Sequence, residues 1–546
     1  MRRLTLSPVT WSHPMRSFVV LAAAVALPIT SHSQEATCAP PPRPGMTWAS
    51  WGASETNGRF TRTSGLTATQ VPRLTLKWAR SLGEVVNARS QPAVVAGTVY
   101  VASEAGGLGA LDAATGCLRW SARADAPLRS GVVAAVGADG AATTVFVGDL
   151  AGSVHAYDAV TGVRRWKVRV DPHFAAIITG TPQLADDVLY VPVSSYESAL
   201  PAQPGYACCT FRGSVVALEV ATGRVKWVAR TIADSATVTG KATGGAVSKG
   251  PSGAAVWSTP TIDRRRGVLY VGTGNNYSDP PTATSDAVLA IELATGRVAW
   301  SRQFAQGDAY NLSCDLPGKA NCPASDGPDA DIGQPPMLVE LGRGQRVLLV
   351  GQKSGHVHAI DPDRQGALRW SVKVGDGGKL GGLHWGSATD GRQVYVALGG
   401  QAILAVADST VKEGFRMEAD PAKGGGLFAL DVRTGRIVWK AAPPPCGPRP
   451  RCSPAMSAPL SAIPGVVFSG SLDGYLRAWS TTGGKLLWAM DTAREYETVG
   501  GGRGRGGSID AAGPVVAGGM VFVMSGYGLY GAMPGNVLLA FSVDGR

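Results

Sequence analysis

One alternation of apolar and polar positions recurs along the chain. It reads apolar-x-Ala-x-Asp-x-x-Thr-Gly-x-x-x-Trp, and it runs from Ala110 to Trp120, Ala156 to Trp166, Ala217 to Trp227, Ala290 to Trp300, Ala429 to Trp439 and Ala478 to Trp488. A degenerate copy, with Gln365-Gly366 in place of Thr-Gly, runs from Ala359 to Trp370 and brings the number to seven. Period-two apolar positions predict a half-buried strand. Asp or Glu before Thr-Gly supplies turn acceptors, and Gly permits the positive φ that a tight turn needs. The Trp closes a second strand and is large enough to fill the gap between packed sheets. Each copy therefore predicts a β-hairpin.

Eight short β-runs stand upstream of these hairpins: Val99–Val101, Val145–Val147, Leu189–Val191, Leu269–Val271, Leu348–Val350, Val394–Val396, Val467–Ser469 and Val521–Val523. The eighth leads into Leu538–Gly545, where the chain stops before any Trp. The missing strand has a counterpart at the other end, Leu74-Thr75-Leu76-Lys77-Trp78. Pairing the two would complete a blade and remove the exposed sheet edges. The expectation is an all-β protein: an eight-bladed β-propeller with four-stranded blades over 74–546, closed by an N-terminal strand on the C-terminal blade. A seven-bladed ring or an open solenoid is the structural alternative. The repeat spacing is longest between Trp166 and Trp439, so extra loops gather there, where a rigid scaffold usually carries its site.

Composition agrees with many short strands and turns: 72 Gly and 36 Pro in 546 residues. The first 33 residues read as a secretory signal, with Arg2, Arg3 and Arg16 before the apolar run Phe18–Ile29 and small residues at Ser31–Ser33. Met15 offers a more compact start, and a retained membrane anchor is the alternative. Residues 34–73 form an N-terminal extension. No later segment is apolar enough to span a bilayer, so the expected location is the periplasm, with no transmembrane segment after signal removal. The eight cysteines suit an oxidising compartment. Cys314 with Cys322 and Cys446 with Cys452 are local pairs, and elimination leaves Cys38 for Cys117. Adjacent Cys208 and Cys209 either bond to each other or take separate partners. No Cys-x-x-Cys-His haem site occurs, and no zinc spacing. The net charge of +11 is scattered, without a basic helix or aromatic-basic platform, so nucleic acid is not an expected partner. An acidic partner or the envelope surface is a more pointed reading of that charge.

The Trp-ending repeat resembles the tryptophan-docking motif of the pyrroloquinoline quinone (PQQ) alcohol dehydrogenases, over nearly all of the chain from Trp78 onward. Propellers without cofactor share such repeats, so the resemblance in the repeat implies fold and not activity. Local matches imply a site. Trp257 stands eighteen residues before Asn275 in Trp257-Ser258-Thr259-Pro260 and Gly272-Thr273-Gly274-Asn275; the family places that Trp under the quinone and that Asn on calcium. Glu197, in Ser194-Ser195-Tyr196-Glu197, matches a calcium-binding Glu, and a carboxylate or amide oxygen is a suitable donor to this hard cation. Arg129, Thr179 and Ser194 match groups that contact PQQ, Arg being the natural forked donor to its carboxylates. Lys353 aligns with a cation beside the quinone oxygens. The family's base is an Asp that also faces calcium: Asp329 fits best, then Asp331, while an ungapped alignment points to Asp308 or Asn311. The resemblance further implies that Cys208-Cys209 is a vicinal disulfide near the cofactor, although here it falls one blade later than usual.

The stretches Cys208–Gly213, Gly382–Ser387, Tyr496–Thr498 and Gly506–Asp510 look like the polyvinyl-alcohol dehydrogenase branch of the family. The implied activity is PQQ- and calcium-dependent oxidation of secondary alcohols to ketones, with electrons passed to a soluble cytochrome c. A quinoprotein acting on a small alcohol, sugar or polyol, and a non-catalytic envelope scaffold, are the competing readings.

Overall fold

The computed structural model describes Cys38, residues 46–407 and residues 415–545; the predicted signal segment 1–33 lies outside them. The described chain is all-β, with four short 3-10 turns as its only helical pieces. Among the described residues, eight antiparallel sheets have four or five strands and share one plan. The first shows it: Ala93–Val95, Thr98–Ala102, Gly107–Asp112 and Leu118–Arg123 lie side by side in chain order. In the last, Val515–Ala517, Met520–Ser525 and Val537–Val543 come from the C-terminus and Leu74–Ser81 from the other end, with Leu74 opposite Val543. All eight upstream runs form strands.

The repeat Trp joins neighbouring sheets. Trp78, Trp120, Trp166, Trp227, Trp370 and Trp439 each donate the indole N–H to a carbonyl of the next sheet's turn at 2.9–3.0 Å: Ala113, Ala159, Val220, Leu293, Val432 and Thr481. Trp488 donates to Leu74 at 2.9 Å, the first residue of the N-terminal strand. Each ring of the first six also covers the Gly of that turn, as Trp300 covers Gly366. A Cβ on Gly162 would stand 2.5 Å from the Trp120 ring. The Thr-Gly of the repeat is therefore a docking surface as well as a turn, and φ of +72° there also favours glycine.

The extension contains a strap without any repeat. Thr47–Trp48 pairs with Val94–Val95. Further along, the carbonyls of Ala49, Glu55, Thr56, Gly58, Arg59 and Ser64 accept from Ala134, Ile262, Leu338, Thr389, Ala462 and Gly519. Glu55 also shares the Arg264 guanidinium with Asp186. The strap thus bonds to the first strand, or the turn beside it, in seven of the eight sheets, and reaches the remaining one, at Asp186, only through the shared Arg264 guanidinium. Arg59 is its fully buried centre. Its guanidinium donates to the carbonyls of Leu460, Trp51 and Pro514, to Gln91 and to Ser461. None of these acceptors is a carboxylate, and burial lowers its pKa to about 9.

All eight cysteines are paired, Cys38–Cys117, Cys208–Cys209, Cys314–Cys322 and Cys446–Cys452. No helix of the described residues is long and apolar enough to cross a membrane.

Candidate functional site

A cavity of about 640 Å³ is walled by loops from several sheets. Arg129, Thr179, Ser194, Trp257, Asn275, Asp329, Asp331 and Lys353 all line it. These residues span more than two hundred positions of sequence, so only the packing of several sheets against one another brings them together.

The polar end is built around Lys353. Its ammonium contacts both oxygens of Asp329 at 3.0 Å and Asp331 at 2.9 Å. It also lies 5.6 Å from the centre of the Trp257 ring, within cation–π range. Burial works against the ammonium, but Asp329 and Asp331 outweigh it and raise the Lys353 pKa. Asp331 is fixed from a third side by the backbone N–H of Asn275 at 2.7 Å. The Asn275 amide N–H₂ is used on the carbonyls of Asn276 and Tyr310 at 2.7 and 2.8 Å. Its Oδ1 therefore remains as an acceptor, beside the two carboxylates.

More acid stands behind this group. Asp308 accepts from the backbone N–H groups of Asp329 and Ala330 at 3.2 and 2.7 Å, fixing the turn in which Asp329 adopts φ of +57°. Left-handed backbone at a non-glycine residue is uncommon, and Asp is among the residues that tolerate it. Asp286 is fully buried with neither carboxyl oxygen bonded among the described residues. Burial, then Asp331 and Asp308, push the Asp286 carboxyl well above the usual range. Burial also raises Asp308 and Asp329, Lys353 drawing Asp329 back down. Four carboxyl groups are thus buried together, and the Lys353 ammonium contacts two of them, Asp329 and Asp331. The nearby His384 adds no compensating charge, because burial and Lys353 lower its pKa to about 3.

The other end carries the cation and the aromatic surface. Arg129 has no carboxylate partner among the described residues and lies 5.6 Å from the centre of the Trp385 ring. Burial, then Arg89, lower its pKa to about 10. Thr179 Oγ1 is buried without a hydrogen bond. Trp257 meets Trp385 edge-on, with ring centres 5.4 Å apart. Gly333 presses on the other part of this ring, and a Cβ there would come within 2.0 Å of it.

Glu197, Cys208, Cys209 and Asn311, although expected at the site, are not on this wall. Glu197 is fully buried and its carboxylate is occupied: it accepts from Tyr206 at 2.9 Å, from Thr210 N–H at 3.0 Å and from Phe211 N–H at 2.7 Å. It clamps the 206–211 loop in place of facing the cavity. That loop turns Cys208 and Cys209 away as well. The two bond to each other, but Cys208 borders a separate cavity of about 270 Å³, with Ser278 and Cys322. Nor does Asn311 face the cavity, since it donates to the carbonyls of Tyr277 and Asn321 at 3.0 and 2.9 Å. Local backbone groups claim both side chains: Glu197 accepts from N–H groups of the 206–211 loop, whereas Asn311 donates to the carbonyls of Tyr277 and Asn321 and accepts from Ser313 N–H. Asp286 and Arg59 escaped the sequence reading. Ser-Asp-Ala before a strand carries no signal of burial, and an Arg in a non-repeating extension gives none either.

The arrangement fits the groups that the family implies. The volume is within the range of cofactor pockets. An unpaired Arg129 and an unbonded Thr179 hydroxyl suit an anionic, carboxylate-bearing ligand. A buried acid excess with a free amide oxygen suits a hard divalent cation.

Known proteins resemble this chain in sequence and fold. The family profile of the glucose/ethanol/alcohol dehydrogenase β-propeller domain (PQQ) matches residues 48–322, and that of outer membrane protein assembly factor BamB matches residues 423–546. A polyvinylalcohol dehydrogenase from a Pseudomonas species is 40% identical over 514 residues, 91% of this chain and 77% of that protein. One from a Sphingopyxis species is 38% identical over 519 residues, with the same shares covered. Among solved structures, a quinohemoprotein alcohol dehydrogenase from Pseudomonas putida superposes with a TM-score of 0.68 at 19% identity, over 92% of this chain and 81% of that one. The fold is the β-propeller of the quinoprotein dehydrogenases, and the chain belongs to the PQQ-dependent alcohol dehydrogenase family, in the branch represented by the polyvinyl-alcohol dehydrogenases.

Proposed function

We propose that this protein is a PQQ- and calcium-dependent dehydrogenase that oxidises secondary alcohol groups, including those of a polyvinyl alcohol-like polymer, to ketones. One observation carries the reading: Trp257, Asn275, Asp329, Asp331, Lys353 and Arg129 converge on a single cavity. A scaffold propeller has no use for four buried carboxyls around one ammonium, which cost stability unless something cationic joins them.

When bound, PQQ would supply the hydride acceptor. Trp257 offers it a flat apolar support. Arg129 would pair with one of its carboxylates, and Thr179 and Ser194 would donate hydrogen bonds. Asn275 Oδ1 and the carboxylates of Asp329 and Asp331 would hold calcium, whose charge brings the acid cluster back toward its ionised form. Asp329 would then take the proton from the substrate hydroxyl as the carbinol hydrogen leaves. Lys353 places positive charge where negative charge develops on the acceptor. Glu197 would act at one remove, by holding the loop behind Ser194–Tyr196.

We further infer that the eight sheets are the blades of one closed ring over 74–546. The strand pairing of Leu74–Ser81 with Val537–Val543 and the unbroken series of Trp contacts from Trp78 round to Trp488 support closure. Residues 34–73 then act as an extension whose strap covers one end of the ring. Four disulfides favour export to the periplasm through an N-terminal signal segment. With no haem motif of its own, the chain would pass electrons to a separate soluble cytochrome c.

The test is reconstitution of the purified protein with PQQ and calcium, followed by dye reduction with 2,4-pentanediol and with polyvinyl alcohol. Turnover that requires both additions is expected; none with any alcohol returns the scaffold reading. In the Asp329→Asn variant, turnover should fall by roughly a factor of a thousand with PQQ binding retained. Full activity there would move the base to Asp331.

A further inference from the structure

The outer part of the cavity is chemically unlike its floor. Tyr196, Leu312, Met417 and Tyr530 all line it, yet each is 39–50% exposed. Large apolar side chains left this open around one mouth mark a binding surface more often than a solvated one. They stand on two sides. Leu312 opens the 3-10 turn Leu312–Asp315, stapled by Cys314–Cys322, and Tyr196 follows the strand Val188–Ser195. The second group belongs to a hairpin inserted between two strands of one sheet, Ile403–Ala407 and Phe415–Ala419, which carries Met417 to the same cavity. That hairpin is tied to the turn holding Tyr530, through Ala419 N–H to the Gly531 carbonyl at 3.2 Å.

Charges at the mouth are already closed. Lys379 pairs with Asp315 and covers the Tyr310 ring at 4.1 Å, and the Tyr310 hydroxyl donates to Asp315 at 2.6 Å. What remains for a ligand is aliphatic and phenolic surface above a polar floor. A sugar or small polyol, dense in hydroxyls, would find few donors or acceptors on Leu312 and Met417. A neutral chain with a methylene backbone and a hydroxyl on alternate carbons matches both parts.

We propose that Tyr196, Leu312, Met417 and Tyr530 form a rim that grips the methylene backbone of a polymeric secondary alcohol on either side of the carbinol presented to Asp329. This rests on the dehydrogenase reading above and adds the source of polymer preference. The rim acts in binding alone, since it lies apart from the Lys353 cluster. A short diol fills the floor without reaching it.

Two variants test the rim: Met417→Ser/Tyr530→Ser on one side and Leu312→Ser on the other. All three positions are exposed, so folding should survive, which thermal unfolding checks. In the reconstituted enzyme, KM for polyvinyl alcohol should rise about tenfold in the double variant with kcat within about twofold, and the constants for 2,4-pentanediol should hold within about twofold. Co-sedimentation of the protein with polyvinyl alcohol, measured without turnover, should weaken in parallel. Equal losses with polymer and diol, or polymer kinetics like the wild type's, would overturn the rim. If neither alcohol is oxidised, the dehydrogenase reading fails, and co-sedimentation still decides: polymer binding lost in the variants supports the rim, and binding absent from the wild type refutes it.

Discussion

The strap and the cofactor cavity handle buried charge in opposite ways. Under the strap, one fully buried cation, Arg59, is surrounded by carbonyls, an amide and a hydroxyl, with no carboxylate. At the cavity, four carboxyls are buried together, and the Lys353 ammonium contacts only Asp329 and Asp331. The first region is complete as it stands: every acceptor is neutral and comes from a segment that must be fixed in place. The second is incomplete without more positive charge. A closed structural device satisfies itself, whereas a binding site keeps an imbalance that its ligand corrects.

Substitutions can break this contrast. Arg59→Ala should produce the largest loss of stability, about 3–5 kcal/mol, because several buried carbonyls lose their donor at once. Chemical denaturation should show the loss, and calcium should not repair it. Lys353→Met should cost about as much in the protein without calcium, since it strands charge in the interior. Here millimolar calcium should restore part of the loss, and the deficit should deepen as pH rises and the carboxyls ionise. Equal calcium responses in the two variants would erase the distinction.

Asp510 sharpens it, because it sits near both regions: its neighbour Ala511 borders a small chamber with Trp51 of the strap and Trp257 of the cavity. Burial raises the Asp510 carboxyl to about 6, with Ser457 bonding to it. Its folded pKa lies above its unfolded value, so the folded state holds the extra proton and stability falls as pH rises between about 4 and 6. A two-unit shift corresponds to about 3 kcal/mol. Asp510→Asn should flatten that portion of the stability profile; an unchanged slope would place the titration elsewhere. The smallest effect is expected at a sheet-to-sheet contact outside both regions. Trp166→Phe removes one indole N–H bond to Val220 and should cost about 1 kcal/mol, with cofactor binding unaltered.

The repeat was legible because each copy is local: a strand, a Gly turn and a second strand with its Trp, all within about a dozen residues. The Trp257 and Asn275 pair was legible for the same reason, being close in sequence and out of register with the repeat. Glu197 shows the limit. Its position matched a motif, but a motif does not say which way a side chain turns, and the 206–211 backbone claimed its oxygens. Cys208 and Cys209 followed that loop.

By itself, then, the sequence determined the hairpins, the recurring Trp at their ends and the types of residue available for chemistry, since all depend on short-range spacing. Only the tertiary structure decided that an unrepetitive strap would bond directly to seven of the eight sheets, that Asp286 and Asp308 would back the Asp329–Lys353 pair, and that Glu197 would face inward. Those outcomes depend on competition among distant segments for the same donors, acceptors and space, which no local pattern records.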